Sequence, residues 1–433
     1  MKPRRIRTTL LAVAMAGAVP GAAQAVRIDY TIDAGLERDD NVALTAQDQD
    51  EQTISRVGFG FALEQDSSVV QASMVGRLDH RRYEEEFGNT TDRMFLGRLN
   101  WTMLPDRLSL VVEDSYGVQT INRTAPASPD NRQQVNVLAI GPDLQFGTDP
   151  SRLGLAELRY IHSDAEVTEQ FNSDRVLAAL RMVQRLDATR TLSWNVQAQQ
   201  VDFDNDQFAR DHRRYEAFAS YRQVLRHFDM RFDAGYAWLD YDDGESRGTP
   251  LFRAELGWSP SERSRFSASL ANEFSDAATS ALAGVGEATG VPTSVATGTA
   301  TINAYAYELQ SVVVDYTYTG PRLSASVNTS AQQIDYVDQA GANEQGRGVG
   351  AALRYRLRPD LALSASAGIN RTEFSAPEQR VETDRRFSLS LDKQWSRHWR
   401  SILGVSRYER DTRSAPDAFE QNVIYLNLIY SNR

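Results

Sequence analysis

The 433-residue chain contains no cysteine. That excludes disulfides and thiolate chemistry, even in a compartment where disulfides form. Lysine is almost absent: only Lys2 and Lys393 occur, and arginine carries nearly all the positive charge. Both genomic base composition and the fit of arginine forks to rows of carboxylates account for such a bias. Beyond the N-terminus there is no run of 18 apolar residues, so no membrane-spanning helix is expected. Positive charge is itself in deficit. Without the four basic residues of the N-terminal leader, 43 Lys and Arg stand against 58 Asp and Glu, a net charge of −15. Binding phosphates needs a cationic surface, so nucleic acid is not an expected partner.

Catalytic signatures are missing as well. The histidines His80, His162, His212, His227 and His398 are widely separated, and no GxSxG, HExxH or P-loop pattern appears. They read as solvated side chains, so neither an enzyme nor a cofactor is expected. Acidic runs such as Asp39-Asp40, Glu84-Glu85-Glu86 and Asp240 to Glu245 have the oxygen ligands that Ca²⁺ favours. Asp242-Asp243-Gly244 lacks the full EF-hand spacing, and these runs read as solvated loops with no metal site.

What is present begins with a leader over residues 1–25. Lys2, Arg4, Arg5 and Arg7 form a basic region, Thr9 to Val19 an apolar one, and Ala23-Gln24-Ala25 a cleavage site. The mature chain is expected to start at Val26. No linker or composition shift divides residues 26–433, which read as one unit.

That unit repeats the pattern of LNWTMLPDRLSLVVE (99–113). Leu99, Trp101 and Met103 share one face, with Arg98, Asn100 and Thr102 on the other; Leu108, Leu110 and Val112 oppose Ser109 and Glu113. A period of two is the strand period, and Pro105-Asp106 is turn chemistry, so this is a β-hairpin. Twenty such strands are predicted, with no convincing amphipathic helix. Short turns, among them Asp187-Ala188-Thr189, Gly320-Pro321 and Pro359-Asp360, alternate with longer polar loops, mostly every 35 to 44 residues. Strands 152–164 and 398–410 alternate too weakly to assign their faces.

Strands with one apolar and one polar face suit either a soluble sandwich or a transmembrane barrel with its polar face inward. The leader, the alternation of short and long connections, and aromatics at strand ends favour the barrel. The fold expected is all-β: a single closed antiparallel transmembrane β-barrel of 18–20 strands. Short turns would be periplasmic and longer loops extracellular, in the outer membrane of a Gram-negative bacterium. Trp101, Trp258, Trp395 and Trp399 would mark the membrane interface. Barrels of this size leave an aqueous lumen. Its lining is predicted to include Arg77, Arg98, Glu113, Arg175, Arg181, Arg214, Glu216, Arg222, Arg231, Asp233, Arg354, Arg356 and Asp392. Such a wall suits a hydrophilic, even anionic, solute, although opposite charges also simply brace it. The loop 276–303 is rich in Ala, Gly, Ser and Thr and nearly uncharged. It either hangs outside or folds inward to narrow the pore, and both remain open here.

The stretches RLNWTMLPDRLSLVVEDSYGVQT (98–120) and NRQQVNVLAIGPDLQFGTDPSRL (131–153) resemble a family of outer-membrane β-barrel porins often encoded with bacterial exopolysaccharide biosynthesis and export systems. More diffusely the resemblance spans residues 26–433. It implies passage of secreted polysaccharide across the outer membrane, with lipid and lipopolysaccharide around the barrel and periplasmic export proteins as partners. It carries no catalytic residues. The alternatives are a barrel enzyme acting on lipid or polysaccharide, which needs an acid/base cluster at the rim, and a structural or adhesin barrel with a filled lumen. A TonB-type transporter is disfavoured, because the strand pattern starts near Arg27 and leaves no length for a plug.

Overall fold

A computed structural model describes residues 26–433, except 85–86, 123–124, 150, 206–208, 243, 284, 286–289, 299–302, 338–342, 376–378 and 413–416. The predicted leader and its cleavage site lie outside the described residues, as do Glu85, Glu86 and Asp243 of the acidic runs. The strands are β1 (Arg27–Asp39), β2 (Gln52–Asp66), β3 (Val70–Arg82), β4 (Asn89–Leu104), β5 (Leu108–Thr120), β6 (Arg132–Asp149) and β7 (Arg152–Ala165). Next come β8 (Ser173–Arg185), β9 (Arg190–Phe203), β10 (His212–Val224), β11 (Phe228–Tyr241), β12 (Ser246–Ser261) and β13 (Ser264–Ser275). After a short helix α1 (Ala277–Leu282) follow β14 (Thr297–Gly298), β15 (Tyr307–Thr319), β16 (Leu323–Tyr336) and β17 (Glu344–Arg358). The last four are β18 (Leu361–Phe374), β19 (Arg380–Gln394), β20 (Trp399–Thr412) and β21 (Phe419–Ser431).

All strands except the two-residue β14 form one closed antiparallel barrel of 20 strands. β13 pairs directly with β15. β21 closes the ring on β1, from Thr31↔Ser431 to Asp39↔Val423. Closure removes the unpaired edges that a lipid environment penalises. One rim carries the tight turns, the start of β1 and the end of β21; the other carries the longer connections.

Alternation sets the two faces. Leu180, Val196, Leu353, Leu389, Leu403 and Leu426 all point outward and are exposed. A continuous belt of such residues is far larger than the apolar patches a water-soluble monomer carries, and is what lipid covers. Trp101, Trp258, Trp395 and Trp399 lie exposed on the outer face next to the turn rim. Where the belt would be thin, aromatics cover glycine: the Phe61 ring lies over Gly76, where an added Cβ would come within 2.4 Å of it.

The outer face therefore has a testable cost. Leu403→Arg places a charge in the middle of the belt and is expected to lower folding stability in lipid vesicles by about 2–4 kcal/mol. Urea titration of the folded barrel measures this. A change below about 0.5 kcal/mol would mean that Leu403 does not face lipid.

One seam of the wall is irregular. The β4–β5 ladder stops at Phe95↔Tyr116, although β4 stays paired with β3 up to Asn89 and β5 with β6 up to Thr120. Side chains bridge β6 to β4 across the gap. Arg132 Nη1 lies 3.0 Å from Asp92 Oδ2, and Gln134 Nε2 donates to the Thr91 carbonyl at 3.2 Å. The freed edge of β5 is taken by β14, which pairs parallel to Val118 and Gln119 from inside.

Candidate functional site

A polar inner face was expected along every strand, around a wide lumen. The inner face instead divides into a packed half and an open half. Along the loop-rim end of β6 to β12 it is apolar. Val135, Val137, Ala139, Ile161 and Ala165 are buried there against Phe171, from the β7–β8 loop, and Ala277 and Ala278 of α1. Ala237, Leu239, Tyr241 and Leu251 pack with Phe274, Ala306 and Val337. Val201, Phe203 and Ala209 pack with Ala304.

The covering element is the segment between β13 and β15. The described part of loop 276–303 folds inward and crosses the lumen. Its small uncharged residues allow this, since they bury without stripping water from charge. At its start, Asp276 caps α1 by accepting from Ala278 N and Thr279 N, both at 3.0 Å. Asp276 also meets two wall arginines: Arg175 Nη1 at 2.6 Å and Arg214 Nη1 at 3.7 Å. On the far wall, Arg77 Nη1 donates to the Pro292 carbonyl at 3.2 Å and Val295 N donates to Asp79 Oδ2 at 2.9 Å. Gly60 makes room for the crossing: a Cβ there would lie 2.6 Å from the Pro292 oxygen.

Several residues predicted to line a water-filled channel therefore hold this segment instead. Arg77 is buried between Asp33 (2.8 Å) and Asp79 (2.5 Å), with Arg56 beside them at 3.3 Å from Asp33. Arg175 and Arg214 are buried on Asp276. Glu216 and Asp233 are buried in a network around Arg253. Its guanidinium reaches Glu216 (3.3 Å), Glu273 (2.5 Å) and Asp233 (3.8 Å), and Arg231 contributes a fourth contact to Asp233 at 2.9 Å. Desolvation explains the pairing: a charge displaced from water by the loop needs a partner of opposite sign.

The others face open space. Arg98 pairs Glu113 at 3.2 Å, with its side chain half-exposed. Arg181 donates to Asn195 Oδ1 at 2.8 Å, and Arg222 is exposed near the turn rim. Arg354, Arg356 and Asp392 lie at the turn-rim end of the other half.

Over its middle that half, β15 to β20, is lined largely by small polar residues, with a buried charged group of Glu382, Asp384 and Arg410 at the loop rim. Ser326, Ala352, Ser366, Ser388 and Ser406 form one cross-strand row, with Ser366 Oγ 2.7 Å from Ser388 Oγ. Asn328, Gly350, Gly368, Arg386 and Tyr408 form the next. The loop-rim end of this wall is covered, with Tyr307 and Tyr336 buried and Ser280 Oγ of α1 2.9 Å from Tyr307 Oη. Toward the turn rim Ala352, Arg354, Arg356 and Arg358 are exposed on the inner face of β17, and among the described residues no element packs over them. Arg386 lies over the Tyr408 ring at 4.4 Å, and Tyr408 Oη donates to Asp384 at 2.9 Å. The sequence reading did not single out Arg386, Arg400, Arg253 or Asp276. Asp276 had a signal: it is an isolated acid ahead of an Ala-rich run, the pattern of a helix N-cap.

His212 is buried at the loop rim against Phe203 and Tyr241, whereas His162 lies 2.8 Å from Asp174 on the outer face. Among the described residues no group of three or more His, Asp or Glu side chains is arranged to hold a metal ion.

No family model matches the chain, and neither does any curated protein. Among solved structures it is similar to large transport barrels. The FrpB iron transporter of Neisseria meningitidis, in its apoprotein form, is 10% identical with a TM-score of 0.47, over 95% of this chain and 82% of that one. A mutant of the ferric enterobactin receptor PfeA of Pseudomonas aeruginosa, in complex with enterobactin, is 12% identical with a TM-score of 0.47, over 93% and 81%. The siderophore receptor PirA of the same organism is 12% identical with a TM-score of 0.44, over 94% and 80%. None of these likenesses bears on the function of this chain.

Proposed function

We propose that this protein is an outer-membrane channel for a hydrophilic polymer, an exopolysaccharide leaving the cell. The open half of the lumen carries the reading. A glycan chain is wide, hydrated and dense in hydroxyls. Rows of Ser, Gly, Ala and Asn on β16 to β20 give it space and weak, replaceable hydrogen bonds, so that it binds without being trapped. In this reading the turn rim is periplasmic and meets export proteins, the belt meets lipid and lipopolysaccharide, and no bond in the cargo is made or broken. The family resemblance of the hairpin at 98–120 points the same way. The chain has a segment crossing its lumen, as a structural barrel with a filled lumen would, but among the described residues that segment leaves the turn-rim part of the β16–β20 wall exposed.

The test joins two measurements. Protein reconstituted in planar bilayers is expected to conduct ions in steps, and a deletion strain is expected to retain its exopolysaccharide. A silent bilayer together with normal secretion would overturn the proposal. Release of sugar or fatty acid from lipopolysaccharide by the purified barrel would favour the enzyme instead.

A further inference from the structure

Buried charge in the packed half is paired, and at the turn rim of the open half one group holds more arginine than acid. Several lumen arginines elsewhere have an acid of their own: Arg98 with Glu113 at 3.2 Å, Arg159 with Asp143 at 2.5 Å, Arg265 with Asp229 at 3.3 Å. On β17 to β20 two arginines converge on one carboxylate and a third lies beside them. Arg354 Nη2 lies 3.1 Å and Arg400 Nη1 3.8 Å from the same oxygen, Oδ2 of Asp392. Arg356 donates to the Pro321 carbonyl at 3.3 Å. The other acid of the group, Asp360, is engaged by Lys393.

These side chains line a hollow of about 170 Å³, together with Gln394. Asp392 is buried beneath it, while the Arg354 side chain is 52% exposed. At Arg77 both partners are buried; here the acid is buried and the excess guanidinium groups face the lumen. Guanidinium presents a planar fork of donors that fits an oxyanion with two bonds. The hollow also opens onto the small-residue wall, because Arg354 shares its cross-strand row with Ser364 and Ser390.

We infer that this hollow is an entry subsite for the carboxylate groups of an acidic glycan, taken up from the turn-rim side. The inference rests on the channel reading above and narrows its cargo to a polyanionic polysaccharide. Arg354 and Arg400 hold the carboxylate beside Asp392, Arg356 guides it in, and the neutral wall beyond lets the following sugars slide. A short hold at the mouth, followed by weak contacts, favours entry without arrest.

The test uses the full mature chain in planar bilayers, with trigalacturonate or maltotriose added on the turn-rim side. Trigalacturonate is expected to interrupt the current at about tenfold lower concentration than maltotriose. Combining Arg354→Gln, Arg356→Gln and Arg400→Gln is expected to bring the two within about twofold of each other. Asp392→Asn should act oppositely and strengthen the block by trigalacturonate, because it removes the competing carboxylate; this separates ligand binding from damage to the wall. Equal block by the two sugars in the wild type, or a triple variant that still discriminates, would overturn the inference. So would block by sulfate matching that by trigalacturonate at equal charge, which assigns the hollow to small anions. A correctly folded barrel that passes no current, with normal secretion in the deletion strain, overturns the channel reading itself.

Discussion

Replacing residues 277–303 with a short Gly-Ser linker is expected to raise single-channel conductance about twofold or more, because a barrel of this strand number is wide enough to conduct once its lumen is clear. The described part of the segment spans from the β6–β7 wall, where Ala277 and Ala278 pack, to the β1–β3 wall, where Pro292 and Val295 are held. Among the described residues nothing on β17 to β20 contributes to that set of contacts. Removing the segment thus widens the lumen from one side only.

The barrel is expected to survive the excision. β13 and β15 pair over twelve residues, from Ser264↔Tyr318 to Ser275↔Tyr307, without help from the segment. Shortening a surface connection changes its closure entropy only slowly with length. Keeping Asp276 preserves the partner of Arg175 and Arg214. The loss falls on the apolar faces of Val135, Val137 and Ile161, which become wetted. Heat-modified migration in SDS gels verifies the fold, and planar-bilayer recordings give the conductance. A folded variant with wild-type conductance would place the constriction elsewhere.

The barrel was legible because lipid outside and water inside impose a period of two on each strand. That alternation yields twenty strands, and the ladders give the same twenty. It fails where a second layer lies inside. β6 reads VNVLAIG over 135–141, apolar on both faces, since Val135, Val137 and Ala139 meet α1 while Leu138 and Ile140 face outward. Strand 152–164 was ambiguous for the same reason: Ile161 is buried inside the lumen. Side-chain direction was readable for Arg77, Arg175, Arg214, Glu216 and Asp233, but their surroundings were not. Arg175 and its partner Asp276 are 101 residues apart, and no local pattern reports such a pair. A run of small uncharged residues is equally at home in water and in a packed lumen, so the course of loop 276–303 was open. Arg400 was missed because it sits in a strand whose faces the sequence did not separate.

Asp276→Ala is expected to release the crossing segment while leaving the barrel closed. The carboxylate has two tasks, pairing Arg175 and Arg214 and capping α1. Leaving a buried guanidinium without its partner costs about 3–5 kcal/mol, and losing an N-cap about 1 kcal/mol. The two are not additive, since they share one side chain. The ladders do not depend on Asp276, so the cost falls on the docked loop: the segment detaches, Arg175 regains water, and the far anchors at Pro292 and Val295 are left to hold alone. Currents that flicker between the wild-type level and that of the excised variant are the expected record. Asp276→Asn should flicker less, because its amide oxygen still caps the helix. The wild type should not open in mild acid. Burial pushes the Asp276 carboxyl up, but the Arg175 and Arg214 charges and the α1 amides outweigh it and hold the group well below the usual carboxylate range. A carboxylate depressed on folding stabilises fully above its unfolded value of about 3.9, and the contribution fades only as pH falls below that toward the folded value. Recordings at pH 7.5 and pH 4.5 should therefore show the same single level. A steady wild-type level in Asp276→Ala, or flicker in the wild type at pH 4.5, would show that this carboxylate is not what keeps the segment docked.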